Sequence, residues 1–245
     1  MKILVCITHV PDTTSKITFT DGDKKFDANG VQFIIGPYDD YALARAVEIK
    51  EQHGGTITIL NVGGAESEVT IRKALAIGGD EAVRINAEPD DSMFVAKEIA
   101  NYAKDKGFDL ILMGRESIDN NGGVVHAMVG AVLGIPSVSP VMRLDIEGTT
   151  ANMDKEIDGG KEVVEANLPI VVGCQEPIAE WKIPNMRGIM SARTKALEVI
   201  EPSVADKGTV VESYQLPAEK SACKMVDASN VEELVDLLKN EAKIL

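Results

Sequence analysis

Residues 114–123, G-R-E-S-I-D-N-N-G-G, gather the groups best suited to hold a phosphorylated ligand. Arg115 can pair with a phosphate, and Ser117, Asn120 and Asn121 can donate hydrogen bonds to one. Gly114 opens the run, Glu116 and Ile118 complete it, and Gly122 and Gly123 let a ligand approach the backbone. Asp119 suits either a ribose hydroxyl or the cap of a following helix. The apolar run 110–113 ahead of the segment reads as a buried strand. Behind it, Val124 leads into Val125, Met128, Val129 and Val132, spaced as one helical face. A strand, a small polar loop and a helix aim backbone N–H groups and a positive dipole end at one point, where a phosphate can sit. Neither G-x-x-x-x-G-K-[ST] nor G-x-G-x-x-G is present. The spacing also fits an ordinary β-α connection, so the shape indicates a nucleotide without naming it.

Two further loops gain meaning from the same geometry. Residues 6–12, starting at Cys6, and the run Val62-Gly63-Gly64 each follow a predicted strand, at the sheet edge where such folds bind nucleotides. Gly36, Pro37, Tyr38 and Asp39 can close that edge from the side, although Tyr38 fits helix-start packing equally well. Covalent chemistry finds no support. There is no G-x-S-x-G elbow, and Cys6 lies in an apolar strand where a thiol is inert. His9 and His126 read as loop or surface residues, and Asp39-Asp40 and Asp90-Asp91 as helix starts. The expectation is a binding protein rather than an enzyme.

The elements that must position these loops alternate along the chain. Strands are predicted at 2–8, 56–62, 81–85 and 108–113. Helices are expected from Pro37 to about Gln52, through Ile71, Ala74 and Leu75, and from Asp90-Asp91-Ser92 through Val95, Ile99 and Tyr102 to Gly107. Residues 9–13 read as a loop, and 18–31 as a hairpin turning at Asp21-Gly22. Such β-α units in series mean a Rossmann-like parallel sheet with helices on both faces. Residues 141–147, 151–157 and 162–168 then read as antiparallel edge strands, followed by a buried strand at 170–172. Residues 202–224 have no period and read as an extended arm, ending in an amphipathic helix over 231–242 capped by Asn230 or Ser229. The expected organisation is an α/β domain at 1–200 and an arm at 201–245.

Composition narrows the partners. A formal net charge of −14 over 245 residues argues against nucleic acid and anionic membranes. The apolar runs fall short of the ~20 residues of a membrane span. The start M-K-I-L-V-C-I-T reads as a core strand rather than a leader. Three distant cysteines and three histidines suggest neither a disulfide framework nor a metal site, and favour a reducing, cytoplasmic setting. Within this acidic chain, residues 182–195 carry Lys182, Arg187, Arg193 and Lys195 and no acid. Trp181, Ile183, Met186, Ile189 and Met190 are interleaved with them, a pattern that suits docking to an acidic partner.

Several segments taken together resemble one family. They are K-I-L-V-C-I-T-H-V-P-D-T at 2–13, G-P-Y-D-D-Y-A-L at 36–43, I-R-K-A-L-A-I-G at 71–78 and G-R-E-S-I-D at 114–119. E-I-D-G-G-K-E at 156–162, L-P-I-V-V at 168–172 and R-G-I-M-S-A-R-T-K at 187–195 follow in order. The chain resembles the β subunits of electron transfer flavoproteins from end to end. The resemblance implies a heterodimer with an α subunit that holds most of a redox-active FAD. Such a carrier takes electrons from acyl-CoA or other flavin dehydrogenases, as in fatty acid β-oxidation, and passes them to a quinone oxidoreductase or another acceptor. This subunit would bind AMP, or a second FAD as in electron-bifurcating relatives, against Cys6, residues 36–39, Val62 and residues 114–125. Residues 183–195 would be the docking loop, anchored by Met186 or Ile183 with Ile189 and Arg193 beside it. The arm after Pro202 would wrap the α subunit.

The chain departs from that pattern in the loop itself. Many members continue after the Asp with N-Q-T-G or Q-V-G, where this chain has Gly123-Val124-Val125-His126. Backbone N–H groups must then do what side chains do elsewhere. The V-P-D-T at 10–13 is closer to bifurcating members and keeps the second FAD open. A free-standing universal-stress-type module shares the core, but the arm, terminal helix and docking loop speak against it. An ATP pyrophosphatase-like enzyme would need S-G-G-x-D-S after the first strand, and His9-Val10-Pro11-Asp12 is not that.

Overall fold

Short apolar runs alternating with helical periods put the first half of the chain into a parallel sheet. The computed structural model describes residues 1–203, 207–220 and 222–245. The chain runs β1 (Lys2–Cys6), β2 (His9–Pro11), β3 (Phe19–Thr20), β4 (Lys25–Phe26), β5 (Phe33–Ile35) and α1 (Pro37–His53). It continues through β6 (Thr56–Val62), α2 (Glu68–Ile77), β7 (Glu81–Ile85), α3 (Ser92–Ala103), β8 (Leu110–Gly114) and α4 (Val125–Leu133). Then come β9 (Ser137–Glu147), β10 (Thr150–Ile157), β11 (Gly160–Asn167), β12 (Ile170–Cys174), α5 (Met186–Ala192), β13 (Leu197–Ile200) and α6 (Val231–Asp236).

The main sheet has the order β11-β10-β9-β12-β8-β1-β6-β7-β13. Neighbours from β9 to β13 along that order are parallel, and β9, β10 and β11 form the antiparallel edge. The period of two in β1 divides the core. Ile3 and Val5 pack with Leu43, Ala46 and Ile49 of α1 and Ile71 and Leu75 of α2. Leu4 and Cys6 face the other way, toward Phe94 and Ile99 of α3 and Val129 of α4. An α/β sheet with helices on both faces is what the repeated β-α rhythm predicts. Asp91 caps α3, accepting from the Phe94 amide at 2.6 Å. Among the described residues, no helix is long and apolar enough to cross a membrane and no side-chain cluster could hold a metal.

Several local expectations need correction. Residues 9–11 are not open loop: β2 pairs antiparallel with β5, because His9 and Phe33 stack at 4.4 Å and hold the two segments together. β13 lies beside β7 at the sheet edge, where L-E-V-I is too short to stand out as a strand. α3 stops at Ala103, since Asp105 and Gly107 adopt positive φ. In α4 the predicted apolar face turns partly outward, with Val132 46% exposed. The terminal helix spans nearly the expected residues but changes type along its length. α6 ends at Asp236 and passes into a wider π turn, Leu237–Glu241.

The expected arm has no regular element in its described part, while residues 204–206 and 221 lie outside the described residues. Its early part follows α3. Ser203 donates to the Glu98 carboxylate, Lys207 pairs with Asp90, and Thr209 donates to Asp91 at 2.6 Å. Tyr214 then stacks on Phe19 at 5.0 Å. Beyond it, α6 begins at the cap Asn230, which accepts from the Glu233 amide, and buries none of its residues.

Candidate functional site

The chain order reverses direction at β1: β6 lies on one side of it and β8 on the other. Loops leaving the carboxyl ends on either side of such a point diverge, and a crevice opens between them. Here it is a cavity of about 410 Å³. Its floor is apolar, from Leu60 and Val62 of β6, Val95 and Ile99 of α3 and Met113 of β8. Its rim is polar and comes from the loops.

Of the sequence-predicted residues, the structure brings Cys6, Asp39, Val62 and Gly114 to this cavity. Arg115, Glu116, Ser117, Asp119, Asn120, Gly122, Gly123, Val124 and Val125 also line it. Gly36, Pro37, Tyr38, Ile118 and Asn121 stand outside the lining. The reason for the first three is a clasp behind the cavity. Buried Asp39, at the start of α1, accepts from the Thr8 amide at 2.8 Å, the Thr8 hydroxyl at 2.6 Å and the Gly114 amide at 2.8 Å. One carboxylate thus ties α1 to the ends of β1 and β8. The approach is close enough to require glycines. A Cβ on Gly114 would stand 2.7 Å from both Asp39 Oδ1 and Tyr38 Cβ, and one on Gly36 2.5 Å from Asp39 Oδ2. Burial is the main influence on Asp39, whose carboxyl is raised to about 6 despite these donors.

The loop after β8 is organised by its own side chains. Ser117 donates to the Asp119 carboxylate, which also accepts from the Asn120 amide at 2.9 Å. The Asn121 amide closes the turn on the Ser117 carbonyl at 2.7 Å. Asp119 therefore does not cap α4. Val124 stands at the N-cap of α4 and supplies no side-chain cap, so the first-turn N–H groups are left without a side-chain acceptor, and Val124 and Val125 line the cavity. Arg115 is held back from that turn. Its guanidinium donates to Gln175 at 2.9 Å, lies 3.5 Å from the Glu116 carboxylate and sits 5.3 Å from the centre of the Tyr38 ring. A Cβ on Gly122 would meet nothing nearer than Ser92 Oγ at 3.6 Å, so the backbone there is open to approach.

Cavity residues outside the predicted site include Phe33 of β5 and polar groups from three connections. Thr8 and His9 follow β1, Glu66 and Ser67 follow β6, and Glu88, Pro89 and Ser92 precede and begin α3. His126, read from sequence as a loop or surface residue, also lines the cavity and is partly buried. The run P-D-D-S marks a helix start, but nothing in it says that this start faces β8. Cys6 matches the expected inert thiol: it is buried, and burial pushes its pKa far up.

The basic island sits apart from the cavity. Ile183 and Met186 are each 74% exposed, Ile189 and Arg193 are also exposed, and Asn185 caps α5 by accepting from Gly188 at 2.8 Å. Lys195 is not part of a free basic rim. It caps α2, donating to the carbonyls of Leu75 at 2.8 Å and Gly79 at 2.6 Å. Arg72 returns the tie from α2, donating to the carbonyls of Ala192 and Lys195.

Comparison with known proteins agrees with this architecture. A family model described as Electron transfer flavoprotein domain matches residues 23–205. The chain is 37% identical to the electron transfer flavoprotein subunit beta of Bacillus subtilis (strain 168), with 100% of each chain covered. It is 32% identical to the subunit of the same description from Syntrophomonas wolfei, covering 100% of this chain and 98% of that one. Against the Mycobacterium bovis subunit it is again 32% identical, with 92% of each covered.

Proposed function

The chain belongs to the electron transfer flavoprotein family, among its β subunits, and on that premise we propose that it is the nucleotide-binding half of a heterodimeric electron carrier. Residues 1–200 form the adenine-nucleotide domain and residues 201–245 the arm that lies on the α subunit. The flavin shared with that subunit supplies the redox chemistry. This chain holds the assembly together and presents it to partners, and it breaks no bonds itself.

The observation that carries the nucleotide reading is the cavity at the switch point, with the uncapped start of α4 on its rim. Backbone N–H groups at a helix start suit a phosphate without a specialised side chain. The apolar floor between β6 and α3 suits a planar base. The volume bears on which nucleotide. About 410 Å³ falls in the lower part of the roughly 300–1,000 Å³ span of small-molecule sites. That favours AMP held whole over a second FAD, whose flavin half would have to extend beyond these walls. Cys6, Val62 and the loop 114–125 would hold the nucleotide directly. Gly36, Pro37 and Tyr38 would act from behind, through the clasp made by Asp39, which itself reaches the cavity wall.

The deciding experiment is to co-express the chain with an α subunit, purify the yellow complex and count the nucleotides released on denaturation. One FAD and one AMP per heterodimer is the expected result. Two FAD without AMP would mean the bifurcating type, and neither nucleotide beyond the α-subunit flavin would end the cavity assignment. Expressed alone, the chain should be colourless.

Partner docking is assigned to the exposed loop around α5, with Met186 or Ile183 as anchor and Ile189 and Arg193 beside them. Acyl-CoA or other flavin dehydrogenases and a quinone oxidoreductase, in the cytoplasm, are the partner classes proposed. Replacing Met186 by Ala removes an exposed apolar anchor without touching the core. Electron transfer from such a dehydrogenase should weaken on the order of tenfold, about 1.4 kcal/mol of docking energy. Flavin and AMP content should stay unchanged, and a variant that loses flavin instead would show that the loop has been misassigned.

A further inference from the structure

Resting on the nucleotide reading above, we propose that His126 is a positioning residue of the cavity, which takes up a proton when a phosphate monoester binds at the start of α4. The imidazole occupies a built seat. A Cβ on Gly173 of β12 would stand 3.0 Å from His126 Cδ2 and closer still to Ser139 Oγ, so the missing side chain makes room for the ring. Nδ1 lies 3.5 Å from the Ser137 hydroxyl of β9. One side chain at the start of α4 thus rests on two strands of the sheet, β9 and β12, and lines the cavity while doing so.

Its place in the helix makes its charge conditional. His126 lies in the first turn of α4, where the helix dipole disfavours a cation. Burial acts in the same direction and lowers its pKa, opposed only by the Gly123 carbonyl. The charged and titratable groups that line the same cavity are Glu116 and Asp119 on the loop, Arg115 ahead of it, Asp39 of α1, His9 after β1, Glu66 after β6 and Glu88 before α3. From the packed elements come Glu98 of α3, whose carboxylate accepts from Ser203, and the buried thiol Cys174 of β12. The ring is therefore neutral at pH 7 when only the protein surrounds it. A phosphate dianion beside the same turn reverses both penalties, and the imidazole then draws a proton from solvent. The proton returns to solvent on release, and no bond to the nucleotide is made or broken.

The test is calorimetric titration of AMP into the nucleotide-stripped heterodimer, in two buffers of different ionisation enthalpy between pH 7 and 8. That range lies above the second phosphate ionisation at about 6, so uptake there belongs to the protein. The expected result is net proton uptake, with affinity rising as pH falls by no more than about tenfold per pH unit, the limit for one linked proton. His126→Asn keeps a donor in the seat but cannot titrate, and should flatten the dependence. Binding without proton uptake in the parent complex overturns the proposal and leaves the nucleotide reading intact. Equal uptake in the His126→Asn complex also overturns it. No binding of AMP at all overturns both.

Discussion

Asp39→Ala is expected to destabilise the chain by roughly 2–4 kcal/mol at pH 7, the largest loss of any single cavity substitution. The carboxylate is the acceptor for the Thr8 amide, the Thr8 hydroxyl and the Gly114 amide. A buried donor left without an acceptor costs about 1–3 kcal/mol. The hydroxyl can rotate to another acceptor, but the two backbone amides cannot. They belong to the strand ends whose loops carry the cavity rim, so the same substitution should also release the nucleotide. Chemical denaturation of the parent and the variant measures the first effect, and AMP content of the purified heterodimer measures the second.

The pH dependence of that difference has a definite sign. Asp39 is raised from 3.8 to about 6 in the folded chain, chiefly by burial. A folded-state value above the unfolded one means that the folded state binds the proton more tightly. The associated stability is fully present below about pH 4 and is lost as pH rises through 6. Alanine does not titrate, so the gap between parent and variant should widen on acidification, by on the order of 1 kcal/mol between pH 7 and pH 5. Asp40 is also raised to about 6 by burial and titrates in the same window, and its charge adds to the rise at Asp39, so Asp39→Ala and Asp40→Asn are compared side by side. A gap that narrows toward pH 5 would mean that the hydrogen bonds, not burial, dominate at Asp39.

The clasp also marks where sequence reading stops. β6 is legible because T-I-T-I-L-N-V is a buried run ended by Gly63-Gly64, and the strand spans the same residues. α1 is legible for a similar reason, with Pro37 at its start and Gly54-Gly55 at its end. Those signals are local, and each element carries its own. The cavity is not local. It depends on which strand lies next to which, and on contacts between residues tens of positions apart, such as Asp39 with Gly114. Hence Gly36, Pro37 and Tyr38 read as site residues by motif, while their geometry places them behind the wall. His126 shows the converse. Nothing in G-V-V-H-A-M marks it as seated, because the space it fills is made by Gly173 on another strand. The separate pair β2–β5 and the edge pair β7–β13 escape sequence reading because short strands are defined by their partners more than by their letters.

Removing residues 207–245 is expected to abolish stable association with the α subunit while leaving the α/β domain folded. The described arm adds little to the core. Its contacts are polar or lie at the surface: Lys207 with Asp90, Thr209 with Asp91, and Tyr214 on Phe19. Losing Thr209 leaves Asp91 still capping α3 through the Phe94 amide, so the domain should lose no more than about 1 kcal/mol. Association is a different matter. Val231, Leu234 and Val235 of α6 are 62%, 45% and 47% exposed, and α6 buries nothing against its own domain. Fully burying such a side chain is worth about 1.5–3 kcal/mol. Even at half that value for each, the three together contribute on the order of 3 kcal/mol, a hundredfold or more in Kd. The loss of association is therefore expected to originate in this exposed apolar face. Co-purification of the truncated chain with a tagged α subunit reads the association directly, and a thermal melt reads the domain. A truncated chain that still co-purifies with bound FAD would transfer the docking role from the arm to the α/β domain itself.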